Sequence, residues 1–278
     1  MNCRTCGSPH TTRIVPLPDV DLFAGQRLPA SLPGGALWRC GACGFVFRAP
    51  LLEPEAYAAL YAGGGTEVWE PHAEREDFRR VRAAIGDAPQ AVLDVGCYTG
   101  DLLATLPPAC RRFGVEPNPG AAARAAARGV TIVAPQWDEL DDRRYDVIVS
   151  CDVIEHVPDP RAFLAALARS LAPGGRLMIT TGNPEAWPWR LAGAQVWYAW
   201  FPEHISFVGP RWLQRMAPEA GLRVQQLDTF WHDGAPGLAA RARALAATLV
   251  WRAAARRPRL LGGGIAPDHL FCILTKDR

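Results

Sequence analysis

Two sets of residues in the 278-residue chain have the types and spacing to do chemistry. Four of its eight cysteines stand as Cys3-x-x-Cys6 and Cys40-x-x-Cys43, followed by Gly7 and Gly44. Two such knuckles place four thiolates tetrahedrally about one Zn²⁺, and the glycines let backbone N–H groups turn toward the sulfurs. A closed sulfur shell leaves no position for chemistry, so this metal is read as structural. Disulfides or free thiols are the alternative. Disulfides fit poorly with a chain that opens Met1-Asn-Cys-Arg-Thr-Cys, without the apolar core of a signal peptide. The second set begins at Ala91-Val-Leu-Asp-Val-Gly-Cys-Tyr-Thr-Gly100, an apolar run that breaks into a turn between two glycines. Glycines there allow positive φ and let a ligand approach the backbone. The spacing Asp-x-Gly-x-x-x-Gly differs from the Gly-x-Gly-x-x-Gly that wraps a dinucleotide pyrophosphate. Downstream, Arg112 to Glu116 reads as a second strand ending in a carboxylate able to accept two hydrogen bonds from a ribose diol.

These groups need elements to position them. Apolar runs predict strands near 91–95, 112–116, 130–133, 145–150 and 175–180, with helices near 100–106, 119–128 and 159–171. Further strands are expected over Leu222 to Trp231 and His269 to Lys276, the latter antiparallel. Ligands on such a doubly wound sheet bind outside the carboxyl ends of the strands. Ahead of the sheet, Ala36 to Arg39 and Phe45 to Arg48 flank the second knuckle, and the Pro- and Gly-rich stretch from Pro16 to Gly35 is expected to be the long loop of a ribbon. Helical patterns cover Glu55 to Tyr61 and Glu67 to Ile85, separated by Gly63-Gly-Gly65, and Tyr61 and Trp69 either touch a ligand or pack. The resulting division is 1–50 zinc ribbon, 51–88 helical connector and 89–278 main domain.

Four stretches, in order, carry a resemblance: Leu93-Asp-Val-Gly-Cys-Tyr-Thr-Gly100, Gly114-Val-Glu-Pro-Asn118, Tyr145-Asp-Val-Ile-Val-Ser-Cys-Asp-Val-Ile-Glu-His-Val157 and Leu171-Ala-Pro-Gly-Gly-Arg-Leu-Met-Ile179. Over residues 90 to 232 the chain resembles class I S-adenosylmethionine-dependent methyltransferases. One departure is Tyr98, where that family most often has glycine. The resemblance implies an α/β fold with a Rossmann-like seven-stranded sheet, S-adenosyl-L-methionine as donor, and donor contacts from Asp94, Gly96, Cys97, Gly100, Glu116, Gln136 and Cys151. The thiols outside the knuckles, Cys97, Cys110, Cys151 and Cys272, are expected to pack as small apolar side chains.

Methyl transfer from a sulfonium is an in-line displacement, so the protein must align the acceptor and exclude water. An oxygen acceptor also benefits from a base. His156, in Asp152-Val-Ile-Glu-His-Val-Pro-Asp159, resembles the corresponding histidine of quinone-biosynthesis O-methyltransferases, and the competing role is a cap or packing histidine. A divalent ion on Asp152, Glu155, His156 and Asp159 is a weaker option. His204, in Phe201-Pro-Glu-His-Ile-Ser-Phe-Val, is a second catalytic candidate that contacts the acceptor or acts as its base, and the competing role is a histidine that anchors the loop. The aromatic run Trp187, Trp189, Trp197, Tyr198, Trp200 and Phe201 either roofs the acceptor or packs.

Composition narrows the class. The net charge is +2 and gives no global basic field for nucleic acid. No stretch approaches the roughly 20 apolar residues needed to cross a bilayer, so a cytoplasmic protein with a small-molecule acceptor is expected. Arginines gather at Arg241, Arg243, Arg252, Arg256, Arg257 and Arg259 without separating from leucines as an amphipathic membrane helix would. Methylation at oxygen of a small molecule is the leading reading. A sugar C-methyltransferase, an rRNA methyltransferase and an inactive methyltransferase-fold binding module are the alternatives.

Overall fold

The computed structural model describes residues 1–62, 75–88, 90–192, 197–232, 234–254 and 264–277. Five strands open the chain: β1 (Thr11–Pro16), β2 (Val20–Phe23), β3 (Gln26–Leu32), β4 (Ala36–Cys40) and β5 (Val46–Ala49). Two helices follow, α1 (Pro54–Ala62) and α2 (Glu76–Ile85). The alternating part comprises β6 (Ala91–Val95), α3 (Asp101–Ala104), β7 (Arg111–Val115), α4 (Pro119–Ala127), β8 (Thr131–Ala134), β9 (Tyr145–Cys151), α5 (Pro160–Ser170) and β10 (Leu171–Gly182). The chain then runs through α6 (Trp187–Ala192), β11 (Ser206–Phe207), α7 (Pro210–Met216), β12 (Leu222–Phe230), α8 (Leu238–Ala254) and β13 (His269–Lys276).

Seven strands form one sheet in the order β12-β13-β10-β9-β6-β7-β8. Strands β8, β7, β6, β9 and β10 pair in parallel, and β13 runs antiparallel to both β10 and β12. This is the Rossmann-like sheet expected from the sequence. Successive strand side chains point to opposite faces, which splits the core in two. Leu93, Ile148, Ile179 and Cys272 share one face, and Val92, Val147, Met178 and Phe271 the other. Two crossover helices begin at polar caps followed by proline. Asn118 accepts from the N–H groups of Gly120 and Ala121, and Asp159 from those of Arg161 and Ala162. Strand order reverses between β6 and β9, so the ligand crevice lies beyond their carboxyl ends.

Two local expectations change. The Pro16 to Gly35 stretch is a hairpin, β2 paired with β3, rather than a loop. The helix after the glycine turn is a single turn, Asp101–Ala104, shorter than the expected 100–106. Of the helical pattern over Glu67 to Ile85, the described residues form helix over Glu76–Ile85, while residues 67–74, with Gly63 to Gly65 and Trp69, lie outside the described residues.

The N-terminal unit shares the core of the large sheet. Its strands extend in the order β1-β4-β5-β11, the last strand coming from residues 206–207. Cys3, Cys40, Cys43, Phe45 and Phe47 belong to the same buried cluster as Trp212, Ile148 and Leu167. The Trp212 indole N–H donates to Thr5 at 3.1 Å, and the Arg211 and Arg215 guanidinium groups donate to backbone carbonyls of Gly41 and Ala42.

Candidate functional site

At the tip of β6 the backbone turns through Gly96 (φ 80°), Tyr98 (φ 47°) and Gly100 (φ 79°). A Cβ on Gly96 would stand 2.5 Å from Val153 Cγ2, so glycine is required there by space as well as by φ. Tyr98 adopts the left-handed conformation that a glycine takes without strain, which accounts for the residue type usually preferred at that place. Its N–H donates to Glu116 Oε2 at 2.9 Å, and the Asn118 N–H donates to Oε1 at 2.8 Å. Each carboxylate oxygen retains a further lone pair. Burial pushes the Glu116 carboxyl up, opposed by these two N–H bonds. Burial, with Glu116 and Asp77 nearby, pushes Asp94 up to about 7.

The other donor candidates divide. The Cys97 thiol packs into the core, where a Cβ on Gly114 would lie 2.5 Å from its sulfur, so only its backbone faces the turn. Gln136 is exposed beyond β8, and Cys151 sits partly buried at the tip of β9.

Across the crevice lies a buried polar chamber. Both oxygens of Glu155 are occupied, one by the Tyr198 hydroxyl and the other by the Thr181 hydroxyl at 2.9 Å. Burial, followed by the Asp152 charge, raises Glu155 to about 8. His156 Nδ1 lies 3.1 Å from both the Tyr61 hydroxyl and the Glu203 carbonyl, and burial lowers its pKa to about 4. His204 donates from Nδ1 to the Tyr198 carbonyl at 2.7 Å and is held well below the ordinary histidine range, chiefly by burial. The two imidazole rings are 4.8 Å apart. Both histidines are therefore neutral at pH 7.

The N-terminal unit builds this chamber. Arg48 of β5, 3% exposed, donates to the carbonyls of Gly34, Ala199, Phe201 and His204. Phe23 at the end of β2 meets the Tyr61 ring edge-on at 5.0 Å. Of the aromatic run, Trp189 and Tyr198 are buried, Trp187 is half exposed, and the Trp197 side chain lies outside the described residues. Tyr198 is both wall and packing, since its ring fills the space a Cβ on Gly182 would need.

Sequence reasoning passed over Arg48, Arg75, His232 and His269. Arg75 bridges Asp77 and Asp152. Asp159 caps α5, and among the described residues it does not join the ligand groups that form around Asp152 or around Glu155 and His156. The Asp268-His269 pair at the start of β13 was the one available signal.

The four N-terminal sulfurs converge. Cys3 and Cys43 Sγ atoms are 3.7 Å apart, Cys6 and Cys40 Sγ atoms 3.6 Å, and all four lie within 4.8 Å of one another. A tetrahedron with metal–sulfur bonds of about 2.3 Å has edges of about 3.8 Å, so the set fits Zn²⁺. Gly7 and Gly44 take positive φ, and their N–H groups close the two knuckles onto the carbonyls of Cys3 and Cys40.

A model of the methyltransferase domain matches residues 63–227. The chain belongs to the methyltransferase-domain family. Among its relatives, the ubiquinone biosynthesis O-methyltransferase of Aeromonas salmonicida is 32% identical over 155 residues, which span 49% of this chain and 64% of that protein. The ubiquinone biosynthesis O-methyltransferase of Thiobacillus denitrificans is 30% identical over 183 residues, 57% of this chain and 79% of that one. The fold is that of the N-methyltransferase NodS from Bradyrhizobium japonicum, solved with S-adenosyl-L-homocysteine (TM-score 0.52, 16% identity, 80% of this chain and 98% of that one). A chain from the complex of the Haloferax volcanii Trm112 methyltransferase activator with a methyltransferase shares the fold (TM-score 0.54, 20% identity, 81% and 98%). No described helix is long and apolar enough to cross a membrane.

Proposed function

We propose that the protein transfers a methyl group from S-adenosyl-L-methionine to an oxygen of a small-molecule acceptor. The observation that carries this reading is the Glu116 carboxylate. It is oriented by the N–H groups of Tyr98 and Asn118, with lone pairs left for the two hydroxyls of a ribose. Gly96 and Gly100 let the donor approach the backbone, and the backbone at Cys97, with Asp94, Gln136 and Cys151, completes the rim. The relatives named above act, by their names, at oxygen in ubiquinone biosynthesis, which supports a small acceptor.

On the acceptor side, His156 is the partly exposed histidine and takes the role of base, since it is unprotonated at neutral pH. His204, 5% exposed, acts as a positioning residue behind it. The bound donor supplies an electrophilic methyl, while the chain's residues align the acceptor and keep water out. Cys3, Cys6, Cys40 and Cys43 hold a structural Zn²⁺ in an N-terminal ribbon over residues 1–50, with a connector over 51–88 and the methyltransferase domain over 89–278. The protein is assigned to the cytoplasm.

Calorimetry with S-adenosyl-L-methionine tests the donor site. Glu116→Ala is expected to weaken binding by about 2 kcal/mol, a factor of about 30, at temperatures where the variant stays folded. Donor affinity equal to wild type would remove the ribose assignment.

A further inference from the structure

Beyond the cysteine unit and the donor turn, a second group of metal-binding side chains meets at the carboxyl edge of the sheet. Asp152 follows β9, His232 follows β12, and His269 opens β13. Their ligand atoms all lie within 4.8 Å of one another. Strand register produces the meeting, because His269 stands opposite both Gly182 of β10 and Phe230 of β12. The two imidazole rings are 4.6 Å apart, and His232 Nε2 lies 3.5 Å from Asp152 Oδ2.

Two details distinguish this group from the buried set Glu155, His156 and His204. His269 Nδ1 lies 2.9 Å from Asp268 Oδ1, so that nitrogen carries the proton and Nε2 presents a lone pair, the arrangement of a carboxylate-backed metal ligand. Asp152 gives Oδ2 to Arg75, while its Oδ1 is buried and has no hydrogen-bond partner among the described residues. Both oxygens of Glu155, in contrast, are occupied by hydroxyl groups. The charge balance also suits a cation. Among the described residues Arg75 is shared between Asp77 and Asp152, so one cation faces two carboxylates, and Asp268 adds a third acid behind His269.

We propose that Asp152, His232 and His269 bind a divalent first-row transition-metal ion, separate from the cysteine-bound one, whose remaining positions take the acceptor's hydroxyl oxygen. Two imidazoles and a carboxylate are the donor set of such open sites. Resting on the methyl-transfer reading, the ion lowers the pKa of the bound hydroxyl. The hydroxyl proton passes to His156, and an oxygen lone pair forms the new O–CH₃ bond. The CH₃–S bond breaks with its electron pair on sulfur, leaving S-adenosylhomocysteine.

The test is cobalt(II) titration of the full, zinc-loaded chain, followed by visible absorption, with donor calorimetry run on the same samples. The expected result is one further equivalent of Co²⁺ showing d–d bands without sulfur-to-cobalt charge transfer. In His232→Ala and in Asp152→Asn its affinity falls at least about tenfold, while donor affinity is unchanged. No uptake beyond the cysteine site, uptake carrying only the thiolate charge-transfer band, or equal uptake in both variants overturns the proposal. Cobalt uptake without donor binding would instead support the metal site and sink the methyl-transfer reading.

Discussion

The two sides of the crevice are built in opposite ways. The proposed donor side is a backbone device: one turn, two glycines, and a carboxylate held by N–H groups two residues on and eighteen residues back. The proposed acceptor side is a side-chain device, in which Arg48, Tyr61, Glu155, His156, Tyr198 and His204 come from segments up to 156 residues apart. A backbone device tolerates change around it and fails sharply at its glycines. A side-chain device depends on every segment that braces it, including the N-terminal unit.

The most severe way to break this contrast is removal of the proposed zinc. Because the cysteines share a core with Trp212 and the loop before it is pinned by Arg48, chelation is expected to lower Tm by about 10 °C or more and to abolish turnover. Calorimetric scans with and without chelator check this. Arg48→Met is expected next in size, at about 3 kcal/mol, since four buried carbonyls lose their donor. If the two sides are independent, donor affinity changes by less than about twofold at temperatures where the variant stays folded, and only acceptor turnover collapses. Gly96→Ala is the mirror experiment. The added Cβ meets Val153 at positive φ, so donor affinity is expected to fall about tenfold with a stability loss of about 1–2 kcal/mol.

The smallest effects are pH slopes of about 1 kcal/mol per unit or less, and they run in opposite directions. His156 has a folded pKa of about 4, below its ordinary 6.5, so its contribution is full above pH 6.5 and is lost as pH falls toward 4. Asp94 is raised to about 7, so its contribution is full below the ordinary carboxylate value of 3.8 and is lost as pH rises toward 7. Denaturant unfolding from pH 4 to 8 should show His156→Gln flattening the acid limb and Asp94→Asn flattening part of the alkaline one, with Glu155 retaining the rest. Equal slopes in both variants would erase the distinction.

Most of the sheet was legible from the chain. Strands expected at 91–95, 145–150 and 269–276 appear at Ala91–Val95, Tyr145–Cys151 and His269–Lys276, because strands covered on both faces read as mostly apolar runs. The hairpin of β2 and β3 was not legible, since its prolines and glycine are also the composition of a loop. Tyr98 read as a departure, and only its φ of 47° shows what the position demands.

By itself the sequence determined whatever depends on neighbours along the chain: the cysteine knuckles, the glycine turn, the capped crossover helices and the acid after β7. Tertiary structure alone decided which distant side chains meet, as with Arg48 beneath the 199–204 loop and Asp152 beside His232 and His269. The physical reason is that local motifs are set by backbone dihedrals within a few residues. A buried polar cluster is instead set by strand order and register, which brought His269 opposite Gly182 and which no local pattern encodes.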